Sequence, residues 1–218
     1  FMHTVEDAKK LAEAMISIGK KLGKNTMAMI TDMSQPLGNT IGNALEVREA
    51  IETVRGHGPK DFTELCMCAG EIMLMQAGKA DSKEEARAML EEAVKSGKAY
   101  EKLEKMVEYQ GGNVEQIRNT DLLPQAKFKT EMLSEEEGYI ENIHSMGLGI
   151  QAMKLGAGRA KKTDPINYAV GLEMNAKKGD YVKKGDLLCT VYHDEELTDE
   201  WKKDFYDTFT FTDKEVEP

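Results

Sequence analysis

Thr26-Met27-Ala28-Met29-Ile30-Thr31-Asp32-Met33-Ser34-Gln35-Pro36-Leu37-Gly38-Asn39-Thr40-Ile41-Gly42-Asn43 is the stretch on which the reading of this chain turns. Thr26 to Asp32 is a short apolar run with β-branched residues near its ends and a polar exit, the composition of a buried strand in a parallel sheet. Upstream, Val5, Ala8, Leu11, Ala12, Met15 and Ile18 recur at steps of three and four. Thr4 suits the N-cap and Gly23 the stop, so a helix over 4–22 is expected to lead into that strand. Downstream, Pro36, Gly38 and Gly42 fall within seven residues and forbid a helix. Residues 33–43 therefore read as a loop at the C-terminal end of a strand, where open α/β sheets bind ligands. The bland alternative is a plain connector.

Further outward, helical patterns cover Ala44–Arg55, Asp61–Gln76, Ser82–Lys95 and Lys98–Gln110, punctuated by Gly56-His57-Gly58-Pro59, Gly78 and Gly111-Gly112. Ser82 and Glu85 form a capping box. One strand gives so many helices no sheet to cover, so residues 1–112 are expected to be part of a mixed-sheet α/β domain whose other strands lie upstream. The helical period fades over 111–125, and residues 113–125 read as a linker. Beyond it, Tyr139–Ile143, Tyr168–Leu172, Asp180–Val182 and Leu187–Tyr192 are strand candidates between Gly-containing turns. Trp201, Phe205 and Phe209 mark a closing helix over 197–209. The expected fold class is thus α/β, plus a small α+β, β-rich C-terminal domain over 126–218.

Among 218 residues, 40% are hydrophobic and 31% charged, as in an ordinary globular protein. Twenty-nine basic against 39 acidic side chains give a net charge of -10, which repels nucleic acid. No apolar run approaches the roughly 20 residues of a bilayer span, so no membrane segment is expected. Cys66, Cys68 and Cys189 cannot all pair, and Cys66 and Cys68 diverge on a helix, so reduced thiols and a cytoplasmic protein are expected. No Cys or His stands at zinc spacing from Cys66 and Cys68, which read as small core residues. The four histidines are scattered. The opening Phe1-Met2-His3-Thr4 has no basic n-region, and the chain reads as part of a longer protein.

Thr31 through Ala50 is long and unusual in composition, and it resembles a signature of the thymidine and pyrimidine-nucleoside phosphorylase family. Phe1-Met2, Leu123-Pro124-Gln125-Ala126-Lys127, Gly147 through Gly156-Ala157-Gly158-Arg159, and Ile166-x-Tyr168-x-Val170-Gly171 resemble the same family. The resemblance implies transfer of the pentosyl group of uridine, thymidine or deoxyuridine to phosphate in nucleoside salvage. The products would be free base and a pentose 1-phosphate, formed through an oxocarbenium-like transition state with no organic cofactor. It also implies a homodimer. The family's Lys-His-Ser-Thr-Gly-Gly phosphate segment and its base contacts would precede Phe1, so no catalytic residue is expected here and the chain alone is expected to be inactive. Phe1 would be a remnant of the base pocket.

The resemblance places one more site partly inside the chain, for a potassium or calcium ion. Its local ligands would be the backbone carbonyls of Leu37 and Thr40 and the carboxylate of Glu49, the remainder lying upstream. A loop broken by Pro and Gly has carbonyls free of helix bonding, and a carboxylate adds charge to an oxygen cage. Otherwise Glu49 is a solvated helix carboxylate.

Ala152-Met153-Lys154, followed by Lys178-Gly-Asp-Tyr-Val-Lys-Lys-Gly-Asp-Leu-Leu188, resembles a biotinyl or lipoyl carrier, with Lys154 at a hairpin tip. The paired Gly-Asp turns fit a barrel-sandwich-like fold. The preceding Gln151 and the long helical first half argue against a carrier. A non-catalytic structural fragment is the third reading. Gly156-Ala157-Gly158-Arg159 reads as a tight turn rather than an anion loop, and Ser134–Gly138 as a solvated acidic turn.

Overall fold

The computed structural model describes residues 2–217. Two compact units emerge, one running up to Asp32 and resuming over Thr63–Ala93, the other comprising Met33–Phe62 and everything from Val94 onward.

In the first unit, the Thr4 hydroxyl accepts the Asp7 N–H and starts helix α1, Val5–Lys21, with Glu6 and Asp7 in the first turn and Lys20 and Lys21 in the last. That charge order opposes the helix dipole at both ends. Thr26–Asp32 is not a strand. Thr26–Thr31 has no ladder partner among the described residues and leaves Met27, Met29 and Ile30 exposed, whereas a strand needs a neighbour to satisfy its backbone. Helix α3, Lys60–Gln76, and helix α4, Lys83–Lys95, meet where Gly70 lies against Leu90. Arg87 grips Glu64 through two bonds of 2.7 and 2.6 Å and also pairs with the buried Glu71. The expectation that Cys66 fills a core is corrected. Cys66 and Met73, two turns apart on α3, are both exposed.

The second unit holds two antiparallel sheets. Strands β1 (Thr40–Gly42), β4 (Gly171–Met174), β6 (Leu187–His193) and β2 (Phe128–Leu133) form one in the order β1-β4-β6-β2. Strands β5 (Tyr181–Val182), β3 (Gly138–Ile143) and β7 (Phe209–Thr212) form the other in the order β5-β3-β7. Among the described residues neither sheet closes into a barrel. Both cover one core in which Ile140 and Ile143 of β3 meet Leu172 of β4 and Leu188 and Val191 of β6. Helix α7, Ser145–Leu155, adds Leu148 and Ala152, and helix α8, Asp199–Tyr206, adds Trp201 and Phe205, stacked at 5.8 Å. The helix expected over 197–209 ends at Tyr206, and Phe209 belongs to β7. Strand β2, helix α7 and strand β7 carry no clear sequence period and were not anticipated.

A second, smaller core joins helix α2, Asn43–Val54, and helix α5, Lys98–Tyr109, to residues 113–125. Those residues contain the single-turn helix α6, Glu115–Arg118, and a 3-10 turn at Thr120–Leu122. Their Ile117 and Leu123 are buried against Ala44 and Ile51. Arg55 seals this contact by donating to the Tyr100 hydroxyl at 3.0 Å and to the Ile117 carbonyl at 3.2 Å.

Candidate cation site

The 33–42 loop lies in the second unit and ends in β1, a three-residue strand that sequence reading left inside the loop. The Asn39 carbonyl accepts the Met174 N–H at 2.6 Å, which makes that pair hydrogen-bonded. Thr40, facing Glu173 one step along, therefore belongs to a non-bonded pair and turns its own N–H and carbonyl to the open edge of the sheet. Gly42 and Gly171 face each other at the end of this ladder, where a Cβ on Gly42 would stand 2.7 Å from the Val170 carbonyl. Only glycines allow so close an approach.

Glu49 projects from α2 onto the loop. Its Oε1 accepts the Asn39 N–H at 2.8 Å, and the Thr40 hydroxyl lies beside it, buried but without the geometry of a hydrogen bond. Gly38, at φ +68°, packs against the same carboxylate, leaving no room for a Cβ. Burial raises the Glu49 pKa above the ordinary carboxylate value, although the Asn39 N–H, Thr40 and the Lys177 ammonium pull it down. Glu49 is thus no solvated helix carboxylate.

Two further residues, absent from the sequence reading, complete the cluster. Asp61, near the start of α3, accepts the Phe62 N–H at 2.8 Å and the Gly38 N–H at 3.1 Å. Burial opposes its ionisation, but those N–H groups and Lys177 outweigh it and hold its pKa below normal. Lys177 extends from the turn before β5, donates to the Pro36 carbonyl at 2.7 Å and to the Gly38 carbonyl, and pairs with Asp61 at 3.1 Å. The ammonium takes the carbonyls of 36 and 38, not those of Leu37 and Thr40. The only hint in the sequence is the repeated Lys-Lys-Gly-Asp at 177–180 and 183–186.

Glu49 and Asp61 thus bring two carboxylates beside one ammonium at this loop, and among the described residues no three His, Cys, Asp or Glu side chains gather as a metal site. Two carbonyls and one carboxylate fall short of the six to eight oxygens calcium takes, so such an ion needs ligands beyond this set. Phe1 lies outside the described residues.

Lys154 sits in the last turn of α7 rather than on a hairpin tip, paired with Asp204 at 2.6 Å, which removes the carrier reading. Gly156 stops α7 at φ +106°, with the Gly156 N–H on Met153 and the Ala157 N–H on Ala152, so this glycine run caps a helix rather than cradling an anion. A cavity of about 320 Å³ at the end of β6 is lined by Asp194, Glu195, Glu196 and Glu200 beside Lys154 and Trp201. So acidic a lining disfavours phosphate.

Comparison with known proteins accounts for both halves of the chain. A family model described as "Glycosyl transferase family, a/b domain" matches residues 1–100, and one described as "Pyrimidine nucleoside phosphorylase C-terminal domain" matches residues 139–212. Pyrimidine-nucleoside phosphorylase of Geobacillus stearothermophilus is 49% identical over 207 residues, 95% of this chain and 48% of that protein. The enzyme of the same name from Staphylococcus aureus (strain USA300) is 45% identical over 218 residues, all of this chain and 50% of that protein. The chain spans about half the length of the curated relatives it matches, and over that half, from the loop at Gly38 to the strands around Ile140 and Leu188, it belongs to the pyrimidine-nucleoside phosphorylase family.

Proposed function

We propose that this chain is part of a pentosyltransferase that passes the pentosyl group of a pyrimidine nucleoside to phosphate. A phosphate oxygen bonds to the anomeric carbon as the bond from that carbon to the base nitrogen breaks, and the base leaves with the electron pair. The observation that carries this reading is identity of 45–49% to pyrimidine-nucleoside phosphorylases across nearly the whole chain, loop 33–42 included.

Within that enzyme, residues 1–112 are read as a portion of the central mixed-sheet α/β domain, 113–125 as the linker and 126–218 as a barrel-sandwich-like domain. Support for the last is the single core shared by two antiparallel sheets. Thr26–Thr31, exposed in part and without a ladder partner among the described residues, supports the first, since a strand partner from elsewhere in the enzyme would complete it. Leu37, Thr40 and Glu49 are proposed to hold a potassium or calcium ion, which would supply fixed positive charge; what these residues do themselves is order the loop and carry the negative charge. The enzyme is proposed to be a cytoplasmic homodimer. The three cysteines are free, and no helix among the described residues is long and apolar enough to cross a membrane.

The test is phosphate-dependent release of uracil from uridine by the 218-residue chain, alone and with the N-terminal half of the Geobacillus stearothermophilus relative fused upstream. Release by the fusion and none by the chain is the expected result. Absence of release by a folded fusion overturns the reading.

A further inference from the structure

The C-terminal strands and the 33–42 loop meet through one side chain. Lys177 is about 140 residues from the loop in sequence, yet its ammonium satisfies two loop carbonyls and the Asp61 carboxylate that also binds the Gly38 N–H. Next to it, the Lys178 N–H donates to Gln35 Oε1 at 3.0 Å. The turn that carries Lys177 is itself fixed. Its N–H donates to Asp180 Oδ2 at 2.8 Å, and the Gly179 N–H and Asp180 carbonyl bond to both backbone groups of Ile140, in the middle of the core. The lysine stem is therefore anchored on a rigid support.

The sequence supplies a control for this arrangement. Lys183 opens the second Lys-Lys-Gly-Asp turn, whose Asp186 Oδ2 accepts the Lys183 N–H at 2.8 Å just as Asp180 accepts that of Lys177. Lys183 is exposed, and among the described residues its ammonium has no ion pair. Turn chemistry is the same in both, so the clamp cannot be a by-product of the turn.

We propose that Lys177 is the positioning residue of the cation loop. By holding the carbonyls on either side of Leu37, and Asp61 with them, it keeps the loop in the conformation that leaves the Leu37 and Thr40 carbonyls and the Glu49 carboxylate available to an ion. The proposal rests on the cation reading above. An ammonium suits this task because it donates up to three hydrogen bonds in different directions and carries the charge that two neighbouring carboxylates require.

Hydrogen exchange read by mass spectrometry, with calcium titrations by calorimetry, tests this on the chain fused behind the N-terminal half of the Geobacillus stearothermophilus relative, as parent, and on the Lys177→Met and Lys183→Met variants of that fusion. In Lys177→Met, amides over 36–40 should exchange about tenfold faster and calcium should bind about tenfold more weakly, the equivalent of one charged hydrogen bond lost. Exchange in β3 and β6 should not change, and Lys183→Met should match the parent throughout. Faster exchange in every strand would mean a merely structural lysine and would overturn the proposal. So would unchanged exchange at Gly38 and Asn39, or unchanged calcium affinity despite a loosened loop. Should the Met variant fail to fold, Lys177→Gln, which keeps a hydrogen-bond donor but no charge, decides by the same readouts. If the parent binds no calcium, the cation reading fails. The exchange at 36–40 then still decides whether Lys177 holds the loop.

Discussion

Gly38 is pressed against the carboxylate of Glu49, its backbone at φ +68° and the space for a Cβ filled by that carboxylate, 3.0 Å from Cδ. Two independent reasons thus demand glycine there. Gly38→Ala should cost about 1–2 kcal/mol from the left-handed backbone alone. It should also push Glu49 off the Asn39 N–H. Urea unfolding gives the first, and loss of exchange protection at Asn39 the second; a variant as stable as the parent would mean that the loop conformation is wrong.

Glu49 and Asp61 should shape the pH dependence in opposite senses. The folded pKa of Glu49 is raised by burial, so its ionisation favours the unfolded chain, and stability falls as pH rises from the ordinary glutamate range through the folded pKa. Asp61 has a lowered pKa, so its contribution is present above the ordinary aspartate value and is lost as pH falls through the folded one. Glu49→Gln should therefore gain melting temperature relative to the parent as pH rises from about 4 to 7. Asp61→Asn should be less stable than the parent throughout that window, and the deficit should shrink only as pH falls below about 4. Curves that stay parallel to the parent's over the whole range, for either variant, would refute the assignment.

The thiols should react in a set order. Cys66 is exposed, although partial burial pushes its pKa up. Cys68 is half-buried and donates to Glu64 at 3.3 Å. Cys189 is fully buried in β6, its pKa pushed up to about 12. Iodoacetamide labelling followed by peptide mapping should mark Cys66 first, Cys68 slowly, and Cys189 only in denaturant. Labelling of Cys189 in the native protein would contradict the burial of β6.

Phe205 is completely buried between Trp201 and Phe209. Phe205→Ala should cost about 3–5 kcal/mol through lost burial and the cavity left behind. Trp201 is the one tryptophan in the chain, and its indole N–H donates to the Gln151 carbonyl at 3.2 Å. Its fluorescence should shift red in the variant, and an unmoved spectrum with unmoved stability would place Phe205 outside the core.

Helices α1 to α5 were legible because caps and period act locally. Thr4, Gly23, Ser82 and Glu85 reveal their effect within one turn of themselves. Strands β3, β5 and β6 were legible because Gly-Asp turns bracket short β-branched or aromatic runs. Helix α7 hid behind Gly147 and Gly149, which weaken any helical pattern, and β1 is three residues inside a glycine-rich loop. Of the candidate site, Leu37, Thr40 and Glu49 entered through family resemblance, while Asp61 carried no signal and Lys177 only the repeated Lys-Lys-Gly-Asp, which does not tell it from Lys183.

By itself, then, the sequence determined where helices α1 to α5 begin and end, where the β-rich half starts and which loop cannot be helical, since each depends on residues a few positions apart. Whether an apolar run becomes a strand was decided only in three dimensions: Thr40–Gly42 finds Gly171–Glu173 and pairs, whereas Thr26–Thr31 finds no ladder partner among the described residues. Tertiary structure also chose between the two identical Lys-Lys-Gly-Asp turns. Their local chemistry is the same, and only the first brings an ammonium within hydrogen-bonding distance of oxygens that need a cation.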